Sequence, residues 1–85
     1  MAKRERIGTF EQLVLLSLLR LSQDAYGLRV RDEIAKHTGL CPSLGAVYTA
    51  LESLEAKGLV FSREGEKTAV HGGRAKRYFQ IYRGD

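Results

Sequence analysis

Apolar positions along the chain fall into three stretches with helical spacing, followed by two short runs with strand character. In the first stretch Phe10, Leu13, Val14, Leu15, Leu16, Leu18, Leu19 and Leu21 cover nearly the whole circumference of a helix. Such a helix is either the central core element or is covered by a second subunit. Thr9-Phe10-Glu11-Gln12 has capping-box spacing at its start, with the Thr9 hydroxyl accepting from the Gln12 N–H and the Gln12 side chain returning to Thr9. The helix is predicted to run to about Arg20. The polar triplet Ser22-Gln23-Asp24 breaks it, and Asp24 is positioned to cap a second helix. There Tyr26, Val30, Ile34 and His37 form one row facing the core, with Arg29, Asp32, Glu33 and Lys36 outside. Thr38-Gly39 closes this helix, Gly39 taking the left-handed conformation that ends helices. Pro42 and Ser43 restart the chain, and Ser43 is the predicted N-cap of a third helix.

In that third helix Leu44, Val47, Leu51 and Leu54 recur at spacings of three and four, which turns one face toward the other two helices. Projection at about 100° per residue puts Gly45, Ala46, Thr49 and Ser53 outward, with Tyr48 on the flank. The N-terminal half of this outer face is therefore small and uncharged, and the acids Glu52 and Glu55 sit toward the far end. Gly58 stops the helix. Leu59-Val60-Phe61-Ser62-Arg63 and Arg77-Tyr78-Phe79-Gln80-Ile81-Tyr82 are rich in aromatic and β-branched residues and are predicted to pair as an antiparallel hairpin, with Phe79 and Ile81 on one face. Their connection carries Arg63, Lys67, Arg74, Lys76 and Arg77 among Gly65, Gly72 and Gly73, and holds no apolar cluster to pin it to a core, so it is expected to stay mobile until it meets a partner. Three helices and a terminal hairpin make an α+β, mainly α, winged helix-turn-helix, with a two-stranded wing.

Length bounds this picture to one domain, since 85 residues build a single small core. Residues 1–8 read as a basic arm and residues 9–85 as the winged-helix domain, with no internal repeat or low-complexity tract. Fourteen Lys and Arg against ten Asp and Glu give a net charge of +4, which favours a polyanionic partner. A helix followed by a ribbon with a cationic tip suits double-stranded DNA, the helix entering a major groove while the tip reaches phosphates. The single cysteine, Cys41, forms no internal disulfide, and no uninterrupted apolar run is long enough to span a bilayer. A cytoplasmic protein without membrane contact is expected, associated with the nucleoid when bound to DNA.

The candidate chemistry is that of binding. Ser43, Gly45, Ala46, Tyr48 and Thr49 are the candidate groove contacts, and Arg63, Lys67, Arg74, Lys76 and Arg77 the candidate phosphate contacts. Each has a plainer alternative: Tyr48 as an aromatic on the core flank, and the cations as a solvated loop. The helix face lacks the Arg, Asn or Gln that read guanine and adenine edges bidentately, so readout falls to the hydroxyls of Ser43, Tyr48 and Thr49 and the Ala46 methyl, with selection partly through DNA shape. His37 and His71 have no partner at metal-ligand spacing, and His37 reads as a capping or packing residue. Cys41 reads as a small buried hydrophobe in preference to a redox sensor. Gly72-Gly73 is a turn, since no strand-to-helix P-loop follows. Neither an acid–base pair nor an activated nucleophile stands out, and no enzyme activity, metal or cofactor is expected.

Ala25-Tyr26-Gly27, Gly45-Ala46-Val47-Tyr48, Leu51 with Leu54, Lys57-Gly58-Leu59-Val60, and Gly72-Gly73-Arg74 before Arg77-Tyr78-Phe79 together resemble the PadR-like family of transcriptional regulators, over about residues 9–82. The resemblance implies a bacterial or archaeal repressor that binds an inverted-repeat operator as a homodimer, with the third helix in the major groove and the wing on the backbone or minor groove. The family's glycine-x-x-tyrosine step falls on Gly45 and Tyr48, and its basic wing on Gly73, Arg74, Lys76 and Arg77. Family members usually continue into C-terminal helices that dimerise and help form an effector pocket, whereas this sequence ends at Asp85. The effector is unidentified, and the surfaces left for a dimer are the Leu-rich first helix and the arm at residues 3–6. Two rivals share the pattern: a winged helix that docks a partner protein on its uncharged face, and a nonspecific DNA- or RNA-binding protein.

Overall fold

The computed structural model describes residues 7–67 and 75–82. Three helices, α1 (Thr9–Leu21), α2 (Gly27–Thr38) and α3 (Leu44–Ala56), precede an antiparallel pair, β1 (Val60–Lys67) and β2 (Ala75–Ile81). Val14 and Leu18 of α1, Val30 and Ile34 of α2, and Val47, Leu51 and Leu54 of α3 bury one common core. Phe79 of β2 joins it with no exposed surface, which anchors the wing in the helical layer. A fully buried side chain of this size contributes about 1.5–3 kcal/mol relative to an exposed one.

Local chemistry sets the boundaries. Gly39 and Gly58 hold φ angles of 77° and 80°, the left-handed region that glycine adopts without a Cβ penalty. At the end of α3 the Leu59 N–H reaches back to the Leu54 carbonyl and the Gly58 N–H to that of Glu55, a Schellman closure that turns the chain directly into β1. Ser43 caps α3 as predicted, its Oγ accepting from the Ala46 N–H at 3.0 Å. Between α1 and α2, Ser22–Asp24 forms a short 3-10 turn, entered through Ser22 at φ 58°.

Several expectations are corrected. The cap of α1 is Gly8, not Thr9: the Glu11 carboxylate accepts the Gly8 N–H at 3.1 Å. This frame lets Glu11 also meet Lys57 at 2.7 Å, strapping the start of α1 to the end of α3. The Lys57 ammonium foremost, with a hydrogen bond from Ser53, lowers the Glu11 pKa to about 2. Asp24 does not cap α2, and pairs with Arg29 at 2.9 Å; Tyr26 occupies the cap position in extended backbone. The cause is a third strand-like contact, in which the Phe79 N–H bonds the Ala25 carbonyl at 2.8 Å and Tyr26 bridges Tyr78. His37 leaves the core row and pairs with Glu33 at 2.9 Å, Leu44 starts its helix too early to reach the core, and Cys41 is exposed. On α1, Leu16 and Leu19 remain 48% and 58% exposed, so the apolar circumference is only partly covered within one chain.

Candidate nucleic-acid interface

The inward turn of Val47, Ala50, Leu51 and Leu54 leaves Gly45, Ala46 and Thr49 exposed on the opposite side of α3. A Cβ built on Gly45 would meet nothing within 4 Å, so this surface is open to an incoming partner. Ser43, also exposed, lies at its N-terminal edge, while Ser53 is half-buried. Backbone N–H groups of the first turn give this end of the helix a partial positive charge suited to anions.

Tyr48 is placed differently from its neighbours. Its ring lies 6.3 Å from Phe79 and directly on the backbone of buried Gly27, where an added Cβ would fall 2.5 Å from Cζ and 2.6 Å from the hydroxyl oxygen. The side chain is thus half-buried between α2 and β2, and its core-flank contacts are present whether or not it also reaches DNA.

Toward the wing tip the strands extend further than predicted, so Lys67 and Lys76 join Arg63 and Arg77 within them, and the alternation of side chains divides Arg63 and Lys76 from Arg77. On the outer face, Arg63 stands 4.8 Å above the Tyr78 ring, Tyr78 meets Tyr26 edge-to-face at 5.5 Å, and Lys76 lies 4.3 Å from the Tyr26 centroid. This ladder joins the wing to the start of α2, and cation–aromatic contacts of this exposed kind are worth about 0.5–1 kcal/mol each. Tyr78 also lies over Gly65, where a Cβ would come within 2.5 Å of its ring. Both cations keep exposed surface. Arg77 faces the other way: its guanidinium donates to Glu55 at 3.0 Å, lies 3.5 Å from Glu52, and sits 4.9 Å from the Phe79 centroid. Lys67 pairs with Ala75 where the described hairpin ends, beyond a register irregularity after Glu64. Arg74, with His71, Gly72 and Gly73, lies outside the described residues. Among the described residues no cluster of metal-ligating side chains occurs, and no helix is long and apolar enough to cross a membrane.

A model of the transcriptional regulator PadR-like family matches residues 15–83. The chain belongs to the PadR-like family. Among solved structures it is similar to a protein of Thermoplasma acidophilum described as a transcriptional regulator, at 22% identity and a TM-score of 0.67, covering 95% of this chain and 73% of that one. It is likewise similar to a PadR family transcription regulator from hypervirulent Clostridium difficile, at 19% identity and a TM-score of 0.66, covering 87% and 73%. No curated protein sequence matches it significantly. The winged-helix fold is thus shared, and the PadR family is one of transcriptional regulators and not of enzymes.

The packing gives physical content to the PadR-like motifs. Gly27 of Ala25-Tyr26-Gly27 and Tyr48 of Gly45-Ala46-Val47-Tyr48 are two halves of one contact, and neither is explained by its own segment. Of the candidate groove residues, Ser43, Gly45, Ala46 and Thr49 share one exposed patch at the start of α3, and Tyr48 lies apart from it. The wing cations divide as well: Arg63 and Lys76 share a surface, and Arg77 joins the acids of α3. Glu55, Tyr26 and Gly27 shape the site without having been assigned to it, since their partners are remote in sequence.

Proposed function

We infer that this PadR-family chain is a sequence-specific DNA-binding repressor that acts as a dimer on an inverted-repeat operator and occludes a promoter. The observation that carries this reading is the open, uncharged N-terminal half of α3, with Ser43, Gly45, Ala46 and Thr49 exposed beside a cationic wing. Nothing on that surface blocks entry into a groove, and Glu52 and Glu55 lie at the end held away from the phosphates when the helix enters N-terminus first. Ser43 and Thr49 supply hydroxyls to base edges and Ala46 a methyl contact, with Tyr48 at the rim. Arg63, Lys67, Arg74 and Lys76 supply phosphate contacts, and the basic arm of residues 1–8 adds to them. The exposed Leu16 and Leu19 of α1 support a subunit contact at that helix. The setting is the cytoplasm, on the nucleoid.

Footprinting on DNA upstream of the protein's own gene tests the reading. Protection of an inverted repeat with half-sites about one or two helical turns apart is the expected result. Protection without sequence preference would assign the chain to nonspecific binding. An unprotected duplex at micromolar protein would favour the protein-docking use of the α3 face.

A further inference from the structure

Arg77 turns its charge from the wing toward α3. Arg77 shares the inner face of β2 with Phe79, while Lys76 and Tyr78 point to the other side, and its guanidinium donates to Glu55 at 3.0 Å and approaches Glu52 at 3.5 Å. Glu55 is shared: its second oxygen accepts the Ser62 hydroxyl at 3.0 Å, so β1 and β2 are both tied to the same carboxylate of α3. One guanidinium facing two carboxylates adds no positive potential for a phosphate to feel. The Phe79 ring 4.9 Å away, itself fully buried, completes the seat.

We propose that Arg77 is a positioning residue, which fixes the angle between the wing and the recognition helix and neutralises two acids that would otherwise repel DNA. This rests on the DNA-binding reading above. Removing Arg77 frees the root of the wing and uncovers Glu52 and Glu55, while the number of phosphate contacts stays the same. Removing Glu55 also loosens the wing, even though it deletes a negative charge. Glu55 and Arg77 therefore act in the same direction on affinity, the opposite of what a phosphate-binding arginine would show.

The test is fluorescence anisotropy on a duplex from upstream of the protein's own gene and on a random duplex of equal length, across a salt series. The variants are Arg77→Ala, Glu55→Gln and the triple change Arg77→Gln, Glu52→Gln, Glu55→Gln. Hydrogen exchange of β1 and β2 amides is followed without DNA. Arg77→Ala and Glu55→Gln are each expected to weaken binding about three- to tenfold. The slope of log affinity against log salt should change by much less than the ~0.9 of one lost phosphate contact. Both variants should speed exchange in the two strands, and the triple variant, which removes the repulsion of the acids but not the loosening of the wing, should bind no tighter than Glu55→Gln. A slope reduced by about 0.9 in Arg77→Ala, with tighter binding by Glu55→Gln, would make Arg77 a phosphate ligand and overturn the proposal while leaving the DNA reading intact. Unchanged affinity and exchange in both single variants would overturn the brace itself. Wild-type protein that binds neither duplex, with the exchange effects present, would overturn the DNA reading and the role given to Arg77 within it.

Discussion

Replacing Gly27 by Ala isolates the contact that joins the two halves of the helix-turn-helix. At the first residue of a helix and without positive φ, this change ordinarily stabilises by about 0.4–1 kcal/mol, because it narrows the unfolded ensemble. Here the new methyl carbon would lie 2.5 Å from Tyr48 Cζ. Carbon atoms pack at about 3.5–4.0 Å, so the ring must retreat by about 1 Å. Phe79, fully buried, is the ring's aromatic neighbour at 6.3 Å between centroids, which limits where it can go. Overpacking of this kind costs about 1–3 kcal/mol, which exceeds the entropic gain and leaves a net loss of about 1–2 kcal/mol. For a domain of this size each 1 kcal/mol moves Tm by about 4–8 °C, so a fall of about 5–15 °C is expected. Thermal and urea unfolding of wild type, Gly27→Ala, Tyr48→Ala and the double variant completes the cycle. With the ring gone, Gly27→Ala should be neutral or slightly stabilising, giving a coupling energy of about 1–3 kcal/mol. An equal cost in both backgrounds would refute the contact as the cause.

Three further outcomes follow from the same geometry. Glu11, with its pKa lowered to about 2 against 4.5, contributes stability that is complete above pH 4.5 and is lost as pH falls toward 2; Glu11→Gln should cost about 1–2 kcal/mol at neutral pH, and its unfolding curve should meet that of wild type near pH 2, whereas parallel pH profiles would refute the strap. On operator DNA, Thr49→Ala should cost about 1 kcal/mol without changing the salt slope, while Arg74→Ala should weaken operator and random DNA alike and lower the slope by about 0.9; the reverse pattern would displace the assigned docking. Sedimentation at micromolar concentration should show self-association, reduced by Leu16→Ser with Leu19→Ser, and a strictly monomeric wild type would remove α1 as a subunit contact.

The element order is legible in the sequence because several boundaries have a local chemical cause: Ser43 as a cap, and Gly39 and Gly58 as left-handed stops, each act within a few residues. The start of α1 is off by one because Thr9 and Glu11 both fit capping rules, and the choice between frames is made by Lys57, which lies 46 residues away. The wing shows the same limit. Arg77 stands beside Lys76 in sequence, yet strand alternation sends them to opposite faces, and Glu55, 22 residues distant, decides what Arg77 meets. Nearness along the chain groups the basic residues into one hairpin and cannot say which of them meet acids of the protein itself. Tyr26 similarly reads as the first residue of a core row, because its pairing with β2 is set by the tertiary fold.

The separation of α3 into a buried stripe and an open one bears on how such proteins diversify. Positions 45, 46 and 49 support no core contact, so most substitutions there change stability by no more than about 0.5–1 kcal/mol. A duplicated gene could therefore drift through many side-chain combinations at these positions while its product still folds, and selection would act on what the helix recognises and hardly on whether it forms. Tyr48, wedged against Gly27, is barred from that freedom, and a lineage seeking a new target would have to work around it.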